Sequence, residues 1–146
     1  LVTTISEVVT LNGSLRGSSN SVTTTGIVDV MERIVTCTQA VTTTIAVFAA
    51  LPSTSPGAID VDRTRYIRVT NLDTVNNIEL AVVTTTTNYQ VTITGGNSHI
   101  LSIGSAAAIG ETDTSPAFGT LEDITSLQVQ PVTANDAQVE LFVGLV

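Results

Sequence analysis

Three stretches in the middle of the chain alternate apolar and polar residues with a period of two. In the first, Ile67 and Val69 share one side while Arg68 and Thr70 take the other. In the second, Ile78, Leu80 and Val82 alternate with Glu79, Ala81 and Val83, and in the third Tyr89, Val91 and Ile93 alternate with Gln90, Thr92 and Thr94. A period of two puts successive side chains on opposite faces of a pleated strand, so each stretch predicts a half-buried β-strand. The breaks between them, at residues 73–77, 84–88 and 95–97, are short enough for antiparallel hairpins.

The flanks continue the theme. An apolar-containing stretch runs from Val2 to Leu11 and is closed by Asn12-Gly13; a second runs from Val22 to Cys37 with Gly26 as a bend or bulge; a third runs from Val41 to Leu51 and stops at a Pro- and Ser-rich loop. Leu101 and Ile103 end a strand, a small-residue loop covers residues 104–119, Leu127 and Val129 mark another strand, and Val139, Leu141 and Val143 point inward from the last. Only residues 104–110 and 121–126 could hold a helical turn. Eight or nine strands with hairpin-length links predict an all-β, antiparallel β-sandwich, jelly-roll-like or immunoglobulin-like, in a single domain over residues 1–146. The expected inward set is Ile67, Val69, Ile78, Leu80, Val82, Val91, Ile93, Leu101, Leu127, Val129, Val139 and Leu141.

Composition narrows the class further. With 20 valines, 12 isoleucines and threonine as the commonest residue, β-branched side chains fill about two-fifths of the 146 positions, which argues against a helical bundle. Hydrophobic residues at 42% against 12% charged are the reverse of a disordered chain. The longest apolar run, from Ile45 to Leu51, is too short for a membrane-spanning helix, and three Phe with two Tyr cannot build the aromatic girdles of a membrane barrel. A net charge of −8 argues against nucleic acid as a partner.

Candidate chemistry is sparse. His99 is the sole histidine, so a hydrolase triad or a histidine-based metal site lacks partners, and a structural role is expected. Cys37 excludes an internal disulfide and reads as a small buried apolar residue. Asp60 with Asp62, and Glu111 with Asp113, are carboxylate pairs of the kind used for calcium or for glycoside cleavage, but neither has the surrounding pattern. No catalytic residue, cofactor or metal is therefore expected. The threonine runs at 23–25, 42–44 and 84–87 read either as solvated strand faces or as a hydroxyl-rich surface for a protein or glycan. There is no lysine, and Arg63, Arg65 and Arg68 bring three of the five arginines within six residues. Two readings stand for this cluster: ion pairs to Asp60, Asp62 or Glu79, or a subunit-contact patch facing a neighbouring copy.

The string from Arg65 through Asn71-Leu72-Asp73, followed by Ile78-Glu79-Leu80, Tyr89-Gln90-Val91 and Gly95-Gly96-Asn97-Ser98-His99, resembles small virion proteins of tailed bacteriophages. The closing Val139-Glu140-Leu141-Phe142-Val143 is similar to them as well. The resemblance covers about a third of the chain, and its motif is structural. It implies a β-sandwich decoration (cement) protein of the capsid, or else a neck, collar or tail appendage, located in the virion. It carries no catalytic residues. The expected partners are the major capsid protein or other virion proteins, with the chain as a homotrimer or homodimer. A mean hydropathy of +0.39 suits a surface covered by other subunits. The loops expected to reach partners are residues 12–21, 52–58 and 104–119. A carbohydrate-binding module is the weaker alternative, because it calls for exposed aromatics and the chain has no Trp.

Overall fold

The strands pair as a long hairpin would if it were rolled up on itself. In the computed structural model, residues 1–6, 10–15, 17, 19–102, 122–132 and 134–146 are described. An N-terminal group comprises β1 (Val2–Ser6), β2 (Thr10–Leu11), β3 (Ser14–Leu15) and β4 (Ser19–Thr23). The others are β5 (Asp29–Cys37), β6 (Thr43–Ala49), β7 (Ile59–Asp60), β8 (Thr64–Asn71), β9 (Ile78–Val83), β10 (Asn88–Ile93), β11 (Ser98–Ser102), β12 (Ser126–Pro131) and β13 (Ala137–Leu145). The antiparallel pairs β9–β10, β8–β11, β6–β12 and β5–β13 are nested one outside the next, with the turn at residues 84–87 as the tip.

Rolling that hairpin divides it between two layers. One sheet has the order β10-β9-β12-β6-β7 and the other β11-β8-β13-β5. Numbering the eight long strands from β5 as 1 to 8, the layers read 5-4-7-2 and 6-3-8-1, the double Greek key of a jelly roll. The jelly-roll alternative therefore holds. The immunoglobulin-like one does not, because consecutive strands β5 and β6 lie in different layers instead of side by side. Short β7 is an added edge, paired parallel to β6. No helix occurs among the described residues; the segment 104–110, where a helical turn was allowed, lies outside them.

Between the layers sits one apolar core. Ile45, Ile78, Leu80, Leu127 and Leu141 are its largest fully buried side chains, each worth roughly 1.5–3 kcal/mol on burial. Ten of the twelve residues expected to face inward are buried, but Val91 and Leu101 are only partly so. Both stand on edge strands, β10 and β11, and among the described residues no neighbouring strand closes over them. Strand β6 departs from simple alternation by burying Ile45 and Ala46 in succession. Its register against β12 explains this: Leu127 opposes Ala46 and Gln128 opposes Thr44, so Ile45 is the extra residue of a β-bulge and turns inward with its neighbour.

The stretch from Val2 to Leu11 is expected from the sequence to supply a strand of the sandwich, but its described strands, β1 and β2, lie outside both layers. Among the described residues β1 and β4 pair only with each other, from Val2 opposite Thr23 to Ser6 opposite Ser19. Beyond them β2 and β3 meet at Asn12-Gly13, both with positive φ (50° and 76°), the two-residue hairpin geometry that Asn-Gly favours. The chain then bends at Gly26 (φ 73°) and enters β5, the Val28 N–H donating to the Leu145 carbonyl at 2.9 Å.

Candidate functional site

The arginine cluster comes apart in three dimensions. Arg63 donates from Nε to the Val146 carbonyl oxygen, tying the end of β13 to the turn before β8. Arg65 donates from Nη1 to the carbonyls of Asp62 (2.7 Å) and Thr64 (3.0 Å), and it borders a cavity of about 200 Å³ lined by Phe48, Val61, Ile67, Leu101 and Ile124. Arg68 pairs with Glu140 across the β8–β13 ladder and lies 5.3 Å above the Phe142 ring. Of the acids expected as intramolecular partners, only Asp62 is engaged, and through its backbone; the ion pair goes to Glu140 instead. Alternation along β8 explains the scatter, since it sends Arg65 and Arg68 to opposite faces. The three guanidinium groups do not form one patch.

The other candidates are equally local. His99 on β11 and Tyr89 on β10 meet across the open edge of the sandwich, with Tyr89 Oη and His99 Nε2 3.2 Å apart and the rings edge to face. Cys37 is fully buried on β5, where burial pushes its thiol up and a hydrogen bond with the Thr43 side chain partly opposes this. β5 and β11 are the two edges of the four-stranded sheet, three strand spacings or roughly 14 Å apart, so Cys37 and His99 cannot act as a pair. Asp60 accepts the Asp62 N–H at 3.1 Å in a tight turn; Glu111 and Asp113 lie outside the described residues. Among the described residues no three His, Cys, Asp or Glu side chains come together as a metal site.

Two polar residues that sequence reasoning passed over organise the ends of the sandwich. Asn71 is fully buried at the end of β8. Its amide donates to the carbonyls of Asn76 (2.7 Å) and Ile93 (3.1 Å), and its Oδ1 accepts the Asp73 N–H (3.1 Å). Asp73 in turn accepts from the Asn76 and Val75 N–H groups and the Asn76 side chain, which holds its carboxyl below the usual carboxylate range. At the opposite end, Glu122 fastens the tip of the rolled hairpin. The Thr84 hydroxyl donates to it at 2.6 Å, and the Thr86 N–H and hydroxyl at 3.0 and 2.5 Å, which lower its carboxyl to about 2. The threonine run at 84–87 thus binds a carboxylate of its own chain. The signal for Asn71 was available in the Asn-Leu-Asp string; nothing local marks Glu122.

What remains as surface differs between the layers. On the outer side of the four-stranded sheet Tyr66 is itself buried, edge to face with the half-buried Phe142 at 5.9 Å, and the Arg68–Glu140 pair lies beside them. At its edge, β5 leaves Val30 (49%) and Ile34 (61%) exposed, and Val28 (76%) precedes them. The outer side of the five-stranded sheet is polar, with Gln90, Gln128 and Gln130 around Ala81. Of the three loops expected to reach partners, 52–58 forms exposed turns between β6 and β7, the described part of 12–21 belongs to the N-terminal hairpin, and 104–119 lies outside the described residues. Compared with known proteins, the chain matches no family model, no curated protein and no solved structure.

Proposed function

We propose that the protein is a non-enzymatic structural component of a phage virion, a decoration subunit that binds the major capsid protein and works in many symmetric copies as a trimer or dimer. The observation that carries this reading is the run of aliphatic side chains left outside the core along the β5 edge: Val28, Val30 and Ile34. An edge strand with exposed aliphatic residues is a template for contact with another chain, and closed symmetry would cover it. The N-terminal hairpin supports the same reading, because a two-stranded ribbon is marginal in water by itself and gains stability by lying against a neighbour. Jelly rolls serve viral capsid and lectin domains alike. The fold adds only an analogy, and the exposed surface carries the argument. Arg63, Arg65 and Arg68 enter this reading as separate contacts at different places on the subunit.

The test is the mass of the purified protein in solution, followed by mixing with phage particles that lack it. A trimer or dimer that binds particles supports the reading. Replacing Val30 and Ile34 together by Ser should release monomers. A stable monomer that binds no particle overturns the proposal.

A further inference from the structure

We propose that the outer face of the five-stranded sheet binds an uncharged polysaccharide laid across its strands. This inference is independent of the virion reading. Pairing registers align outward-facing residues into rows that cross the sheet. One row is Gln90 on β10, Ala81 on β9, Gln128 on β12 and Thr44 on β6; the next is Thr92, Glu79 and Gln130. Between them lies a shallow groove of about 120 Å³ floored by Ala81 and bordered by Gln90, Gln128, Gln130, Glu79 and Thr42.

Three features of this groove select its ligand. The first is free hydrogen-bonding capacity. The contacts these side chains make with one another are long: Gln90 to Asn88 at 3.5 Å, Gln128 to Ser126 at 3.5 Å, Thr42 to Gln130 at 3.3 Å. Such distances leave the amides open to a better partner. Each glutamine offers an acceptor oxygen and two N–H donors, matching vicinal sugar hydroxyls that both donate and accept. The second is charge. Among the described residues Glu79 is the single charged side chain at the groove and no arginine borders it, so phosphate, sulfate or uronate groups meet a carboxylate and no cation. The third is spacing. Neighbouring strands stand about 4.8 Å apart, close to one pyranose unit, so a sugar chain crossing the strands meets one residue of the row per unit. The small side chain of Ala81 gives that chain room to approach the sheet.

Without an aromatic platform each contact is weak, and a sugar chain gains by meeting several residues of a row at once. The rows are held by backbone pairing, so binding has to order the glutamine side chains but not the strands that carry them.

The experiment is a chemical-shift titration of the ¹⁵N-labelled protein with maltohexaose, laminarihexaose, cellohexaose and mannohexaose, and with an alginate hexamer as anionic control. At least one neutral hexasaccharide should move the amide signals of residues 79–81, 90–92 and 128–130, and alginate should not. Ala81→Arg should fill the groove, and the double change Gln90→Ala with Gln128→Ala should weaken binding roughly tenfold or more by removing the amide contacts. Ile34→Ser, on the other layer, should bind as the unchanged protein does. Because Ala81 and both glutamines point outward, their variants are checked for an unchanged spectrum elsewhere. The proposal fails if no neutral sugar moves these signals, if alginate binds equally well, or if folded Ala81→Arg and the double variant both keep full affinity. Shifts confined to the β5 side would equally overturn it.

Discussion

Replacing Asn71 by Ala removes one side chain from the junction where the β8–β9 connection, the end of β10 and the Asp73 turn meet. That side chain is fully buried and makes three hydrogen bonds, two donated to the carbonyls of Asn76 and Ile93 and one accepted from the Asp73 N–H. Each bond is worth about 1 kcal/mol net, and a partner left buried without a replacement raises the cost, so the expected loss is about 3 kcal/mol. For a chain of this length that corresponds to a fall in Tm of roughly 6–12 °C. Denaturant unfolding followed by circular dichroism measures it, with an unchanged m-value showing that the unfolded state is not the cause. The substitution Asn71→Asp sharpens the test. A carboxylate placed against the two carbonyls is disfavoured, so its pKa in the folded protein rises above the unfolded value of about 3.9. The native state then binds the proton more tightly, so relative to the unchanged protein the variant should be most stable below about pH 4 and lose stability as the pH rises through the raised value. A loss under about 1 kcal/mol for Asn71→Ala, or an Asn71→Asp variant that gains stability between pH 4 and 7, would refute the reasoning.

Gly95→Ala would put a methyl group 2.7 Å from the Thr74 carbonyl carbon and 2.9 Å from the Asp73 oxygen, both backbone, and should cost about 1–3 kcal/mol in the same unfolding assay. Val82→Asp, at a position 2% exposed between the layers, should abolish cooperative melting, whereas Val75→Asp, 82% exposed in the β8–β9 loop, should change stability by no more than about 0.5 kcal/mol. For Glu122, the threonine hydrogen bonds depress the folded-state carboxyl from 4.5 to about 2, so its contribution is fully present above pH 4.5 and fades as the pH falls through 2. Glu122→Gln should flatten that part of the stability profile, and identical acid profiles for the two proteins would count against the clamp.

Strand existence was legible because a half-buried strand writes its burial directly as alternation, as Ile78, Leu80 and Val82 do. Strand order was not, because pairing joins residues far apart in the chain: Asp29 opposes Leu145 and Cys37 opposes Ala137. No local pattern distinguishes a jelly roll from an immunoglobulin-like order. The N-terminal stretch carries strand-forming valines, isoleucine and threonines as the core strands do, so its separation from the layers was invisible as well. The arginine cluster misled for a related reason. Proximity in sequence along a strand scatters side chains to both faces, and the Glu140 that pairs with Arg68 is 72 residues away. Asn71 reads as a turn residue unless its burial is known, and Glu122 reads as a loop acid until the tip of the rolled hairpin is placed beside it. The glutamine rows were concealed by the same long-range register, since Gln90 and Gln128 become neighbours of Ala81 only through the order of β10, β9 and β12.

The proposed role, a repeated subunit on a capsid shell, has a direct consequence for the particle. A cryo-EM reconstruction of the particle tests it most directly, because it reads both location and copy number. The proposed role predicts density for a two-layer jelly roll at symmetry-related positions over the whole head, in a number set by the capsid lattice, with the β5 edge and the N-terminal hairpin against neighbouring chains. A single ring of copies at the neck or tail, or no such density on the particle, would contradict it.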